Sequence, residues 1–157
     1  MSSLVAYGNP SAESIATPIA NNGFWPDIEP GDFRERHRIS TTITQGRVVA
    51  ALEIAVASLN RQLSDYQLAQ QAAGYPAASA VPPEVWQIAG HAERLYRQGV
   101  YAEAHAQLLE RYRDYSATND GDERGEAKVE AAEAYRRDAR WAVSEIIGEP
   151  HTTVELI

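Results

Sequence analysis

The chain has no cysteine, one methionine and two phenylalanines in 157 residues. The lack of cysteine excludes disulfides, thiolate nucleophiles and cysteine-ligated zinc, and it fits a reducing compartment. Long apolar runs are missing as well. None approaches the roughly twenty residues that cross a bilayer, and the first residues show neither a basic nor an apolar targeting region, so a soluble protein made in the cytoplasm is expected, with no membrane contact. Basic charge is also short: 14 Lys and Arg stand against 22 Asp and Glu, for a net charge of -8. Domains whose main task is to hold phosphate backbones gather lysine and arginine and are usually basic, so specific nucleic-acid binding is not expected. Large side chains are scarce too. Hydrophobic residues make up 44% of the chain while mean hydropathy is -0.41 and alanine is the commonest residue. This predicts a thin interior of elongated helices packed through small residues, within one domain.

What is present falls into helical stretches. Residues 1–23 scatter turn formers such as "GNPSAES" and "NNG" without a sustained period, and are read as a disordered N-terminal arm. "PDIEPGDFRERHRI" predicts a turn and a short helix with Asp32 as cap or first-turn acid, Phe33 and His37 along one side, and Arg34, Arg36 and Arg38 around it. Thr42 and Gln45 have capping-box spacing, so a long helix is expected from about Ile43. Its stripe is Val49, Leu52, Val56, Leu59, Leu63 and Tyr66, with Gly74 and Pro76 as stop signals. A second long helix is expected from Glu84 through Val85, Ile88, Ala92, Leu95, Gly99, Ala102, Ala106 and Leu109. The small residues at its centre would admit another helix closely, and a break at Gly99 stays open as the alternative. "TNDGDERGE" predicts a polar loop, after which Val129, Ala132, Tyr135, Ala139, Ala142 and Ile146 mark the last helix, ended by Gly148 and Pro150. "HTTVELI" alternates as an extended strand would. The expected fold class is all-α: an elongated bundle of three long helices plus one short N-terminal helix, with extended arms at both ends. In domain terms this is an arm over 1–23, a helical domain over 24–148 and an extended tail over 149–157.

The chemistry is sparse, and no enzyme, cofactor or metal is expected. His91 and Glu93 lie on different sides of a helix, and His91 and His105 are about four turns or roughly 20 Å apart, too far to share a metal within one helix. His37 sits among arginines, and His151 falls in the tail. "NDGDERGE" has neither the lysine of a phosphate-binding loop nor the spacing of a calcium loop, so a solvated turn is the better account.

Two stretches stand out. In "FWPDI", Phe24 and Trp25 either fold back as a staple on the helices or form an anchor docked on a neighbouring subunit. In "RRDARWAV", Arg137, Arg140 and Trp141 lie off the main stripe; Trp141 either covers the short helix around Phe33 or meets a partner, since exposed tryptophan with arginine is favoured at interfaces.

"FWPDIEPGDFRERHRI" and "RDARWAVSEIIGEPHTTVELI" together resemble the head completion protein family of tailed bacteriophages. A phenylalanine-bearing segment ending in Pro-Asp-Ile leads into an arginine-bearing short helix, and Arg-Asp-x-Arg-Trp-Ala-Val ends at Gly-x-Pro before an apolar-ending tail. These motifs occupy Phe24 to Ile39 and Arg137 to Ile157, with only helix patterning between them; residues 1–23 and the loops around 76 and 121 lie outside the resemblance. It implies a structural, non-enzymatic virion protein at the portal vertex or neck, assembled in the host cytoplasm. Such a head-tail connector subunit adds to the portal protein after DNA packaging, joins copies of itself in a ring, retains the genome and presents the surface to which the tail or tail-terminator protein attaches. Packaged DNA then passes nearby without specific binding. On that basis Phe24, Trp25, Arg34, Arg36, Arg38, Arg137, Arg140, Trp141, Val154, Leu156 and Ile157 are the candidate subunit and partner contacts. The competing reading is a soluble helical adaptor or regulator bound to a single protein partner.

Overall fold

The computed structural model describes residues 17–111 and 119–150, with side chains from 125 onward in the second span. Five α-helices follow in order: α1 (Pro30–His37), α2 (Gln45–Gln62), α3 (Ser64–Ala72), α4 (His91–Arg111) and α5 (Asn119–Ile147), with one turn of 3-10 helix at Ala78–Ala80. Among the described residues there is no β-strand, only a single antiparallel bridge between Ile19 and Ile28.

The helix α4 is central. It packs along α5 on one side and α2 on the other, while α1 and the 3-10 turn close its flanks. The small-residue stripe explains how the helices come so close. A Cβ added at Gly99 would lie 2.7 Å from Leu59 Cδ2 and 3.2 Å from Ala142 Cβ, so three helices meet where one has no side chain. Close approach, and not a break, is what this glycine provides, since α4 runs through it without interruption. Ala102, Ala106, Ala132, Ala139 and Ala142 are buried as the stripes require. Larger groups fill the remainder of the core, with Val48, Leu52, Leu59, Leu63 and Val100 fully buried.

Several boundaries differ from the sequence expectation. The first long helix is divided at Leu63, whose φ of -99° and ψ of 9° leave the α region. Here the Ser64 hydroxyl donates to the Arg61 carbonyl, the kind of local bond that bends a helix without any glycine or proline. The expected capping box does not form: Thr44 is the N-cap, with no side-chain cap bond, and the Ser40 and Thr42 hydroxyls bond each other instead. The second long helix begins at His91, not Glu84. Gly90 has φ of +73°, outside the right-handed helical region, and Pro82–Pro83 withhold two amide donors. Val85 and Ile88 therefore belong to a loop and not to the stripe. The last helix starts earlier than expected, at Asn119, because glycines at 121 and 125 cost about 1 kcal/mol each within a helix without ending it. It stops as predicted, at Gly148, with φ of +74° and the Glu149 amide turned back to the Ser144 carbonyl.

The disordered arm predicted over 1–23 needs correction for its last part; residues 1–16 lie outside the described chain. Ile19 pairs with Ile28 through two backbone bonds of 2.8 and 3.0 Å, which makes 17–28 a small hairpin on the helices. Asn22 Oδ1 accepts the Phe24 and Trp25 amides, and Gly23 takes φ of +84°, so side-chain bonds replace the apolar period that sequence patterning relies on.

Candidate assembly surfaces

The hairpin carries the first pair of candidate residues inward. Trp25 is 2% exposed and lies in a stack of rings, with its centroid 4.6 Å from Tyr96 and 5.9 Å from Tyr66, while Phe24 meets it edge-on at 4.9 Å. The anchor reading of Phe24 and Trp25 thus gives way to the staple. Both are core side chains with no surface left to dock on a neighbour. A closed ring of hydrogen bonds holds the stack: Asn21 Nδ2 donates to Tyr96 Oη at 2.9 Å, Tyr96 Oη to Asn60 Oδ1 at 2.7 Å, and Asn60 Nδ2 to Asn21 Oδ1 at 2.9 Å. Burial pushes the Tyr96 hydroxyl up to about 12, so it stays protonated and able to donate.

The three arginines of the short helix separate into three roles. Arg34 braces the following turn, donating to Gln45 Oε1 and to the Ser40 and Ile43 carbonyls. Arg36 pairs with Asp32 at 2.7 Å one turn away, and Tyr101 Oη donates to the other carboxylate oxygen at 2.8 Å. Burial alone would raise Asp32, but the bonds from Arg36 and Tyr101 outweigh it and hold the carboxyl low. Only Arg38 points its charge outward without an intrahelical task. It is exposed, and it occupies the left-handed region at φ of 49°, a conformation costing an arginine on the order of 1 kcal/mol.

Sequence spacing kept the histidines apart, yet the fold joins two of them. His37 from α1 and His105 from α4 face each other with Nδ1 atoms 2.9 Å apart, and Tyr135 from α5 stacks on His105 at 4.2 Å. Burial pulls His105 down to about 4, helped by His37, and burial with the nearby Arg36 also lowers His37. The pair is therefore neutral near pH 7, one ring donating to the other. Its role is to lock three helices together. Among the described residues no group of three or more His, Cys, Asp or Glu could hold a metal ion.

The outer surface holds what the core does not use. Trp141 is 47% exposed, with the Arg137 guanidinium 5.1 Å over its ring and Arg140 exposed beside it. The covering of Phe33 by Trp141 is not seen; Phe33 is buried against His37 and Tyr101. A larger apolar surface comes from the loop before α4. Val85 is 104% exposed, Trp86 68% and Ile88 60%, beside a groove of about 390 Å³ reached by Tyr66, Tyr75, Leu95 and Ile147. Three outward apolar residues within four positions form the kind of surface that protein contacts bury. Val85 and Ile88 fit the steps of a helix face, which hid this loop from sequence reading; the Pro-Pro and Gly90 around it were the available signal. Val154, Leu156 and Ile157 lie outside the described residues.

The described body is all-α, with Val85, Trp86, Ile88 and Trp141 exposed on its surface. The chain belongs to the phage head completion protein family: the model described as "Phage head completion protein (GPL)" matches residues 19–157. It is 35% identical over 141 residues to the "Head completion/stabilization protein" of Escherichia phage P2, covering 88% of this chain and 82% of the relative. It is 30% identical over 100 residues to the "Probable head completion/stabilization protein" of Haemophilus phage HP1 (strain HP1c1), covering 64% and 67%. No solved structure matches. Membership brings a phage head completion role and a place in the virion. The matched span opens at Ile19, the residue that pairs with Ile28 in the hairpin.

Proposed function

We propose that this chain is a head-tail connector subunit that joins the portal vertex after DNA packaging, in several copies forming a ring, retains the genome and gives the tail its attachment surface. It acts by contact alone, without catalysis. The observation that carries this reading is the family match across residues 19–157, together with relatives named for head completion and stabilization. The outward Val85, Trp86 and Ile88 support it as the surface for the portal, and Arg137, Arg140 and Trp141 as a contact between subunits. The acidic balance of the chain suits a passage that DNA must traverse without adhering.

The test is electron microscopy of particles from a phage lacking this gene, with DNA content of the heads quantified. Tailless heads that packaged DNA and lose it are the expected result. Intact, tailed, infectious particles would overturn the reading and favour a soluble adaptor with one protein partner. Removing His151 to Ile157 should weaken attachment to the head while leaving helix content unchanged by circular dichroism; unimpaired attachment would remove the tail segment from the account.

A further inference from the structure

The groove of about 390 Å³ beside the 81–90 loop is lined from several parts of the chain. Tyr66 of α3 and Tyr75 after it contribute to it, as do Val81 and Trp86 of the loop, Leu95 of α4 and Ile147 at the end of α5. Trp86 meets the His91 ring edge-on at 5.5 Å, which fixes the indole at the rim although the residue is 68% exposed. Gly148 belongs to the same lining, and it is where α5 ends. Its φ of +74° and the Glu149 amide on the Ser144 carbonyl turn the chain out of the helix at the groove edge. After Pro150 come His151 to Ile157, with Val154 and Leu156 two positions apart.

We infer that residues 151–157 of the same chain lie in this groove as an extended strap, with Val154 and Leu156 facing in and Thr153 and Glu155 facing water. Length allows it: at about 3.3 Å per residue, the six steps from Pro150 to Leu156 span up to about 20 Å. Alternation sets the side, since successive side chains of an extended segment point to opposite faces. Charge selects the same register, because Glu84 and Glu145 are among the lining residues and would oppose a Glu155 turned inward. The point of departure selects the occupant. A segment tethered at the groove edge is presented to it at an effective concentration in the millimolar range, well above that of a second copy in solution. Seated there, the strap ties the 81–90 loop to α3 and to the end of α5, so that Val85, Trp86 and Ile88 are held in one arrangement. The contact lies within one chain and goes beyond the connector reading; only its use, holding the loop ready for a partner, rests on that reading.

Because the chain has no cysteine, disulfides can be placed at will to test this. Thr153→Cys is paired in the full chain with Gln70→Cys or with Gln87→Cys, both at groove positions. The control pairs it with Val129→Cys, which is exposed but about 27 Å from Ile147 along α5. Under mild oxidation at least one groove pair should close within a single chain, read as a monomer on a non-reducing gel and as a linked peptide by mass spectrometry, while the control stays open. Amide hydrogen exchange supplies the second readout. Val154→Asp with Leu156→Asp should speed exchange over 84–90 severalfold and leave the buried centre of α4 unchanged, and removal of 151–157 should do the same; Glu155→Gln should alter neither region. The inference is overturned if neither groove pair closes, if they close only between chains, if the control closes as readily, or if exchange over 84–90 is the same in every variant. Such a failure would leave head completion untouched, since that is read from particles of a phage lacking the gene. Tailed, infectious particles in that experiment would likewise leave the strap standing, since it is read from the isolated chain.

Discussion

Residues 17–28 and 81–90 have similar composition and opposite fates. Each is an irregular segment with tryptophan and proline placed next to a helix, yet Trp25 is 2% exposed and Trp86 68%. The difference lies in the polar residues around them. Asn21 and Asn22 supply side-chain bonds that close the hairpin and join it to Tyr96 and Asn60, so the backbone and the indole can be buried together. Pro82 and Pro83 offer no amides, and Gly90 turns the chain directly into α4, so Val85, Trp86 and Ile88 stay outside. Aromatic content alone therefore does not mark an interface. The first segment belongs to folding, and the second is the one proposed to make contacts.

The comparison is broken most severely by Trp25→Ala, which empties the ring stack between Tyr66 and Tyr96. A loss of about 4 kcal/mol is expected in urea unfolding, with particles failing because the chain no longer folds. An unchanged unfolding midpoint would return Trp25 to the surface. Next comes Gly99→Val, which tests the close seam of α2, α4 and α5. With the new Cβ within 2.7 Å of Leu59 Cδ2, a loss of about 3 kcal/mol is expected. Asn21→Ala should cost about 2 kcal/mol, because it leaves the buried Tyr96–Asn60 bond without its third member.

A pH titration sharpens the comparison from the far side of the body. His37 and His105 have folded values below their ordinary 6.5, with His105 near 4. The unfolded chain then binds more protons than the folded one within that window. Stability is full above pH 6.5 and is lost as pH falls toward about 4, by about 2 kcal/mol once screening of the half-buried rings is allowed for. His105→Phe should flatten that part of the profile, and an equal slope in this variant would contradict the assignment. Trp86→Ala is the smallest in stability, within about 0.5 kcal/mol, because its ring stands largely in water.

Much of the helical body was legible in the chain. Leu52, Leu59 and Leu63 in α2 and the turn after it, Gly99 and Ala102 in α4, and Ala139 and Ala142 in α5 are buried where steps of three and four place them. Periodicity also misled: Val85 and Ile88 fit the same steps, and the conformation of Gly90 decided against them. The hairpin was illegible because its order comes from side-chain bonds to residues about forty and seventy-five positions away. The His37–His105–Tyr135 cluster was hidden for the same reason, since it needs α1, α4 and α5 to be packed first. Of the candidate contacts, Arg34 and Arg36 are held by internal bonds that no spacing rule distinguishes from a free basic face.

The most direct measurement of the contact role is complementation of a phage lacking this gene with a chain carrying Val85→Ser, Trp86→Ala and Ile88→Ser, its melting curve recorded alongside. The account predicts an unchanged melting temperature and a steep loss of infectious particles, with DNA-filled heads that lack tails or lose their genomes. Normal particle yield from a chain that melts normally would contradict it, and would show that this loop takes no part in completing the head.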